Sequence, residues 1–334
     1  MTAKVAKPGA IVALAGGVGA ARFLRGLVRV VDPSRVVCVV NTGDDVVLHG
    51  LHVSPDLDTV SYALAGVVHP EQGWGRAGET WAVMEALAGL RPAAPPSSTA
   101  GLTWFRLGDR DLATHLYRTQ RLRDGAALSE VTAELARAWG IASRLLPMTD
   151  DPVETRVVLE DEGEVGFQDY FVRRAHAVTV QAVRFAGAEQ ARPAPGVLEA
   201  LAEAERVVIA PSNPLVSIAP VLAVPGIDEA VAARREETVA VSPIVAGAAL
   251  RGPAGRLLAE LGHEPSVVGV ARLWAPWTST LVVDEADAAL APAVEEEGVR
   301  CVVAPTVMRG PEEAAALARV VLTGLGDGNA GDRP

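Results

Sequence analysis

The stretch IVALAGGVGAARFL, residues 11–24, decides how this chain folds. Its first part, 11–15, is an apolar run that stops at two glycines, which predicts a buried strand followed by a tight turn. Residues 20–31 then carry apolar side chains on one helical face, and the β-branched run 35–40 predicts a second strand. Strand, glycine turn, helix and strand form one βαβ unit, whose right-handed crossover implies a parallel sheet.

The rest of the chain extends this alternation with one interruption. Helices are predicted at 55–64, 79–90, 111–123 and 129–139, strands of an antiparallel segment at 155–159, 167–173 and 177–185, and further strands at 207–210, 238–241 and 300–304. The pattern predicts an α/β fold: a Rossmann-like, doubly wound, mainly parallel sheet with an inserted helical and antiparallel segment. The expected parts are a glycine-loop α/β part with a helical insertion (1–150), an antiparallel β insertion (151–190), a second α/β part that completes the sheet (191–325) and a flexible tail (326–334).

Composition excludes several classes of partner. The net charge of −11 argues against nucleic acid and against an anionic membrane surface, because both demand a basic protein face. The sequence has no apolar run long enough for a membrane span, and residues 1–10 lack the apolar core that is expected of a signal peptide. Cys38 and Cys301 each lie in an apolar run and are expected to be free thiols. We therefore expect a cytoplasmic protein without nucleic-acid or membrane partners.

The glycine turn predicts a phosphate site. Gly16, Gly17 and Gly19 follow a strand and open a helix, where the backbone can approach a phosphate and the helix N-terminus favours an anion. Arg22 stands where a dinucleotide fingerprint has its third glycine, and the Gly-Lys-Ser/Thr of a P-loop is absent. An NAD-dependent oxidoreductase and an ordinary ATP site are therefore disfavoured, while a tight turn without a ligand stays open.

Carboxylates at the next strand end favour a metal. Asp44 and Asp45 follow Asn41 in the run NTGDD, and two adjacent carboxylates that face a phosphate loop suggest Mg²⁺. The alternatives are a ribose-binding Asp and a polar turn with a capping Asp. Asp58 could join the metal, orient a hydroxyl group, or serve as a first-turn helix residue. Asp45 and Asp44 are the candidate catalytic and metal residues, and Asn41 and Asp58 are candidate substrate-binding residues. Which Asp binds the ion or accepts a proton stays open.

Two further clusters are candidates for substrate contacts. Asp109 and Arg110 precede a predicted helix and could bind a substrate carboxylate or phosphate, or could form a solvated helix start. Ser212 and Asn213 stand between two prolines at a strand end, where Asn213 offers donor and acceptor atoms to a nucleobase or carboxylate. A rigid turn is the alternative there.

Together these motifs resemble one family. They are AGGVGAAR at 15–22, NTGDD at 41–45, HGL at 49–51, SPDLDT at 54–59, LGDRD at 107–111, PMTDD at 147–151 and APSNP at 210–214. In this order they resemble the 2-phospho-L-lactate transferase family of coenzyme F420 biosynthesis, over residues 11 to about 322. The runs WG at 74–75 and ETW at 79–81 are similar to actinobacterial members, which are described as phosphoenolpyruvate transferases.

The resemblance implies a reaction. The acceptor would be the deazaflavin 7,8-didemethyl-8-hydroxy-5-deazariboflavin, called FO, and the donor a guanosine diphosphate linked to lactate or enolpyruvate. The phospho-acid group would move to the terminal ribityl hydroxyl, releasing GMP and forming F420-0 or its dehydro form, with Mg²⁺ required. The donor acid (lactate, enolpyruvate or glycerate) stays open, although the resemblance and the low lysine content favour enolpyruvate. The apolar helices, in addition, make a homodimer an expectation.

The resemblance also suggests roles for the residues. Asp45, with Asp44 or Asp58 nearby, would hold Mg²⁺ against the diphosphate, the glycine turn would bind phosphate, and Ser212 and Asn213 would face the guanosine. The alternative function is a non-catalytic, nucleotide-sugar-binding regulatory protein on the same scaffold.

Overall fold

The computed structural model describes residues 9–95, 97–99, 101–160, 162–249 and 252–324. The strands are β1 (Ala10–Ala15), β2 (Val36–Val40), β3 (Val46–Leu48), β4 (Leu51–Val53), β5 (Arg144–Pro147), β6 (Glu154–Leu159), β7 (Gly163–Gly166), β8 (Val180–Ala186), β9 (Ala204–Ile209), β10 (Thr238–Val241), β11 (Ile244–Val245), β12 (Ala248–Ala249), β13 (Thr280–Val283) and β14 (Arg300–Val303). The α-helices are α1 (Gly17–Val30), α2 (Pro55–Leu64), α3 (Ala82–Leu90), α4 (Asp109–Arg123), α5 (Leu128–Ala138), α6 (Val197–Ala202), α7 (Ala219–Leu222), α8 (Ile227–Ala232), α9 (Ala254–Glu260), α10 (Val267–Trp274), α11 (Ala291–Glu296) and α12 (Pro311–Thr323).

A parallel sheet organises these elements. In the described part of the chain it has seven strands in the order β14-β13-β10-β9-β1-β2-β5. The order reverses between β1 and β9, because the chain builds outward from β1 to β5 on one side and from β9 to β14 on the other. Such a reversal is the topological switch point where open α/β sheets bind ligands, beyond the carboxyl ends of the strands.

Both faces of the sheet are buried, which explains the near-continuous apolar strands. On β1, Val12 and Leu14 pack into one hydrophobic cluster, and Ile11, Ala13 and Ala15 pack into a second cluster on the opposite face. Strands covered on both faces read as apolar runs without polar alternation. The predicted Rossmann-like, doubly wound α/β fold is confirmed.

Helix α1 is held against α12 by close backbone packing. A Cβ atom on Gly26 would lie 2.2 Å from the carbonyl carbon of Ala314, so only glycine allows the two helices to approach this closely. The helix that carries the glycine turn at its N-terminus is therefore fixed along its length by the last helix of the described chain.

The insertions lie outside the parallel sheet. Helices α2 to α5 and the β3–β4 hairpin lie between β2 and β5, and an antiparallel sheet has the order β7-β6-β8. The predicted strand at 167–173 is wrong, because Asp169–Arg173 forms a π-helical turn. Its aromatic residues, Phe167, Tyr170 and Phe171, pack on the antiparallel sheet at a helical spacing of three and four residues.

Two short strands of the parallel sheet, β5 and β13, were not predicted, since runs of four residues carry little periodic signal. The boundaries 1–150, 151–190 and 191–325 stay a prediction, and the predicted tail 326–334 lies outside the described residues.

No helix among the described residues is both long and apolar enough to cross a membrane. Cys38 and Cys301 are free thiols, as expected.

Candidate active site

A cavity of about 570 Å³ opens at the switch point. Its lining includes the glycine turn after β1, Ser212 and Asn213 after β9, Ser242 after β10 and Thr306 after β14. The carboxyl ends of these parallel strands thus share one edge of the sheet. The opposite wall comes from the insertions and is rich in apolar and aromatic side chains, among them Phe105 and Phe171.

The glycines at the turn allow two strand ends to touch. A Cβ atom on Gly19 would lie 2.1 Å from the carbonyl oxygen of Pro211, and one on Gly16 would lie 2.6 Å from Asp56 Oδ2. The Ser212 hydroxyl donates to the carbonyl of Gly16 (2.9 Å) and accepts from its N–H (3.3 Å). The turn after β1 is therefore fixed to the turn after β9 at the floor of the cavity.

Asp56 is a cavity residue to which sequence reasoning gave only the role of a helix-start residue. Its carboxylate accepts a hydrogen bond from Asn41 Nδ2 (3.0 Å) and interacts with the backbone N–H of Gly17, in the first turn of α1. A negative charge thus already faces the predicted phosphate turn. Only the tertiary fold brings α2 against α1, so no local sequence signal could have revealed this contact.

Two buried carboxylates, those of Asp44 and Asp56, line the cavity together with the glycine turn. Asp44 accepts hydrogen bonds from Asn41 Nδ2 (2.7 Å) and Gln168 Nε2 (3.1 Å). Burial raises the pKa of Asp44 well above its usual range, and the nearby charges of Asp56 and Asp45 raise it further. Burial likewise raises the pKa of Asp56 to about 6. Within the described residues, no Lys or Arg side chain forms an ion pair with Asp44 or Asp56, so no basic side chain compensates the charge of these carboxylates when they ionise.

Asp45 turns away from the main cavity. Its Oδ2 accepts from the Ser54 hydroxyl (2.7 Å) and lies 2.9 Å from His52 Nε2, and burial raises its pKa. Its Oδ1 is buried and has no hydrogen-bond partner among the described residues. Asp45 lines a neighbouring cavity of about 830 Å³, and Asp44 lines both cavities. An orphaned oxygen and an uncompensated pair of carboxylates form a donor set that fits a hard divalent cation.

A second polar cluster lies at another part of the cavity wall, where α4 meets α2. Asp58 is buried, and both of its oxygens accept from the Arg118 guanidinium. His115 lies between carboxylates, with Nδ1 3.6 Å from Asp58 Oδ2 and Nε2 3.4 Å from Asp111 Oδ2. Asp58, Asp111 and His115 are close enough to hold a metal ion. In this arrangement Arg118 occupies both Asp58 oxygens.

Other predicted residues lie at the cavity or away from it. Arg22 lines the cavity, and its guanidinium donates to the Met308 carbonyl at 3.5 Å. Asn213 also lines it, while its side-chain oxygen accepts from the N–H of Leu215. Asp109 and Arg110 do not belong to the described lining, and their part in substrate binding stays a prediction.

Sequence reasoning missed several residues of the cavity wall. These are Tyr62, Arg106, Gln168 and Arg309. They come from separate loops and helices and carry no shared motif, so their proximity depends on the folded chain.

Comparison with known proteins gives one consistent result. Residues 11–307 match the model of the family described as 2-phospho-L-lactate transferase CofD. A phosphoenolpyruvate transferase of Kitasatospora aureofaciens is 49% identical over 317 residues, covering 93% of this chain and 96% of that protein. A second from Streptomyces coelicolor is 47% identical, covering 94% and 97%, and a third from Mycolicibacterium smegmatis is 40% identical, covering 93% and 97%.

A solved structure shares the fold at low identity. A protein of the UPF0052 family from Bacillus halodurans superposes with a TM-score of 0.58 at 16% identity, covering 95% of this chain and 99% of that chain. At this identity the likeness concerns the fold alone, and it agrees with the parallel α/β sheet described above.

Proposed function

The chain belongs to the 2-phospho-L-lactate transferase family and is a transferase enzyme, and from this premise we propose that it acts in coenzyme F420 biosynthesis. It moves a phospho-enolpyruvyl or phospho-lactyl group from a guanosine diphosphate-linked donor to the terminal ribityl hydroxyl of FO. The names of the relatives at 40–49% identity support enolpyruvate as the acid that the donor carries. A cytoplasmic location and a homodimer stay predictions.

The proposed reaction is a substitution at phosphorus. The hydroxyl oxygen of FO bonds to the phosphorus that carries the acid, and the bond from that phosphorus to the bridging oxygen of the diphosphate breaks. GMP leaves with the bridging oxygen and its added negative charge, and the hydroxyl proton passes to a carboxylate of the site. Positioning and charge neutralisation supply most of the catalysis in such transfers.

The observation that carries this proposal is the cluster of carboxylates beside the glycine turn at the switch point. The pKa values of Asp44 and Asp56 are raised, and a bound cation would favour the ionised form of both carboxylates and would attract a diphosphate to the same place. We propose Asp44 and Asp45 as the residues that hold Mg²⁺. A bound Mg²⁺ would neutralise charge on the donor's diphosphate.

The remaining predicted residues take the two substrates. Gly16, Gly17 and Gly19 allow a phosphate to approach the backbone at the start of α1, and Arg22 provides positive charge at the same wall. Ser212 and Asn213 are proposed to face the guanosine part of the donor. Asp58 is proposed to face the acceptor, since Arg118 holds its carboxylate in one orientation.

The test is incubation of the purified chain with FO, Mg²⁺ and, in separate reactions, guanosine diphosphate linked to enolpyruvate, lactate or glycerate. Chromatography with mass spectrometry should detect GMP and a charged deazaflavin, with the enolpyruvyl donor turned over fastest. Chelation of the metal is the control and should stop both products. Binding of ligand with no GMP from any donor would contradict the proposal and favour the non-catalytic nucleotide-sugar-binding alternative.

A further inference from the structure

The His115 side chain lies on the wall of the main cavity with one nitrogen unused. The residue is 1% exposed, and it lines the cavity together with Tyr62, Asp58 and Asp111. Its Nε2 atom is buried and has no hydrogen-bond partner among the described residues. Buried polar side-chain atoms are rarely left unpaired, so an unpaired nitrogen at a cavity wall indicates a ligand atom.

The neighbours of His115 assign its proton. Arg118 Nη1 lies 3.4 Å from His115 Nδ1, and a guanidinium can only donate hydrogen bonds. Asp58 Oδ2 is farther from Nδ1, at 3.6 Å, beyond hydrogen-bond distance. We therefore assign Nδ1 as the acceptor, which leaves Nε2, the nitrogen on the Asp111 side, as the N–H donor of the ring.

A carboxylate stands next to this donor. Asp111 Oδ2 lies 3.4 Å from Nε2 and is not within hydrogen-bond geometry of it, whereas Asp111 Oδ1 accepts from the Tyr62 hydroxyl at 2.5 Å. Burial favours the neutral form of Asp111, but His115, Tyr62 and Arg118 outweigh it and lower its pKa. At neutral pH the site therefore offers one N–H donor and one carboxylate acceptor side by side.

This pairing selects the chemistry of the ligand. A phosphate or carboxylate could accept from Nε2 but would be repelled by the charges of Asp58 and Asp111. A metal ion would need the lone pair of Nε2, but Nε2 carries a proton. It would also need the Asp58 carboxylate, but Arg118 binds both oxygens of that side chain. A hydroxyl group accepts from Nε2 and donates to Asp111 with the same oxygen.

We infer that His115 and Asp111 bind a hydroxyl group of the ribityl chain of the acceptor, and that Arg118 positions His115 for this contact by fixing its tautomer. This inference rests on the proposed function and adds to it a polyol subsite that is separate from the carboxylates beside the glycine turn. His115 is a specificity residue for the sugar-alcohol chain of the substrate, with no part in binding the diphosphate.

The experiment measures binding of the fluorescent deazaflavin to the full chain. The probes are FO and a ring analogue in which a methyl group replaces the ribityl chain. The variants are His115→Phe, which keeps a planar ring without the donor, and His115→Gln, which keeps an N–H near the position of Nε2. We expect His115→Phe to weaken FO binding about five- to tenfold, the usual scale of one hydrogen bond, and to leave the analogue within about twofold.

Each other outcome has a defined meaning. Thermal unfolding checks that the variants fold, and partial recovery of FO affinity in His115→Gln supports the donor even where the Phe variant is destabilised. Equal losses for FO and the analogue, or no loss for FO, would overturn the subsite while leaving the proposed function intact. Calorimetric binding of Mn²⁺ or Zn²⁺ that disappears in His115→Phe would replace the hydroxyl subsite with a metal site. A wild-type chain that binds no FO would overturn the proposed function, and the subsite with it.

Discussion

Glu79 and Asp109 exchange helix caps. The Glu79 carboxylate accepts from the backbone N–H groups of Arg110 (2.7 Å) and Asp111 (2.8 Å), in the first turn of α4. The Asp109 carboxylate in turn accepts from the N–H groups that open α3 and from the Thr80 hydroxyl. Glu79, which precedes α3, therefore caps α4, and Asp109, the first residue of α4, caps α3. The pair also fixes the backbone of Asp111 at the cavity wall.

The Asp109 cap gives the first prediction. Asp109→Ala should lower the thermal unfolding midpoint and increase hydrogen exchange at the start of α3, because the two N–H groups that open the helix lose their acceptor. The Michaelis constant should change only to the extent that α3 becomes less ordered. A matched Arg110→Ala variant tests the adjacent charge. A raised Michaelis constant in Asp109→Ala with an unchanged unfolding midpoint would instead support direct substrate contact.

Asp45 provides the second prediction. Asp45→Asn keeps the shape of the side chain but removes the charge from the orphaned Oδ1, so the fold should persist while transfer is lost. Loss of one well-placed electrostatic partner costs roughly 2.7–4 kcal/mol of activation free energy, or about 10²–10³-fold in turnover. Steady-state GMP release measures it, with Asp151→Asn, at a surface ion pair with Arg192, as the control. Near-normal turnover with Mg²⁺ present would remove Asp45 from the site.

The close contact between the turn after β1 and the turn after β9 predicts that one added methyl group at Gly19 destabilises the fold. Gly19→Ala should destabilise the fold by about 1–3 kcal/mol or more and abolish transfer, because its Cβ atom would overlap the Pro211 carbonyl. Gly89→Ala is the matched control, since a Cβ atom there meets nothing within 4 Å on helix α3 and should be neutral or stabilising by up to about 1 kcal/mol. Chemical denaturation measures both. Equal stability of the two variants would contradict the close approach.

The raised carboxyl pKa values predict a pH dependence. Because burial raises the pKa of Asp56 to about 6 and that of Asp44 well above its usual range, the folded chain binds these protons more tightly than the unfolded chain. The contribution of each to the free energy of unfolding is full below about pH 4; that of Asp56 is lost as pH rises through about 6, and that of Asp44 as pH rises through its own raised pKa. Asp56→Asn should therefore gain stability relative to the metal-free wild type over this interval.

Mg²⁺ should reverse this loss, since the cation and the protons compete for the same oxygens. Saturating Mg²⁺ should raise the thermal unfolding midpoint of the wild type more at about pH 7.5 than at about pH 5, and Asp44→Asn should reduce the difference. The same rise at both pH values, or a rise that Asp44→Asn leaves intact, would place the cation elsewhere.

The sequence patterns predicted more of the parallel sheet than of the candidate site. The glycine turn and the strands around it are local signals, so β1, α1 and β2 followed from residue order alone. The run 167–173 was predicted as a strand because its apolar residues favour one, but packing on the antiparallel sheet imposed a helical spacing. The contact of Asp56 with Gly17 joins two helices, and no spacing in the sequence encodes it.

The position of β1 between β2 and β9 also sets an order of assembly. During synthesis, the edge of β1 that faces β9 stays open until residues beyond 204 have left the ribosome, and the last helix of the described chain closes on α1 later still. An unpaired apolar strand edge is a site of misassociation in partly made chains. We therefore expect the edge of the sheet that carries the candidate site to form late in synthesis.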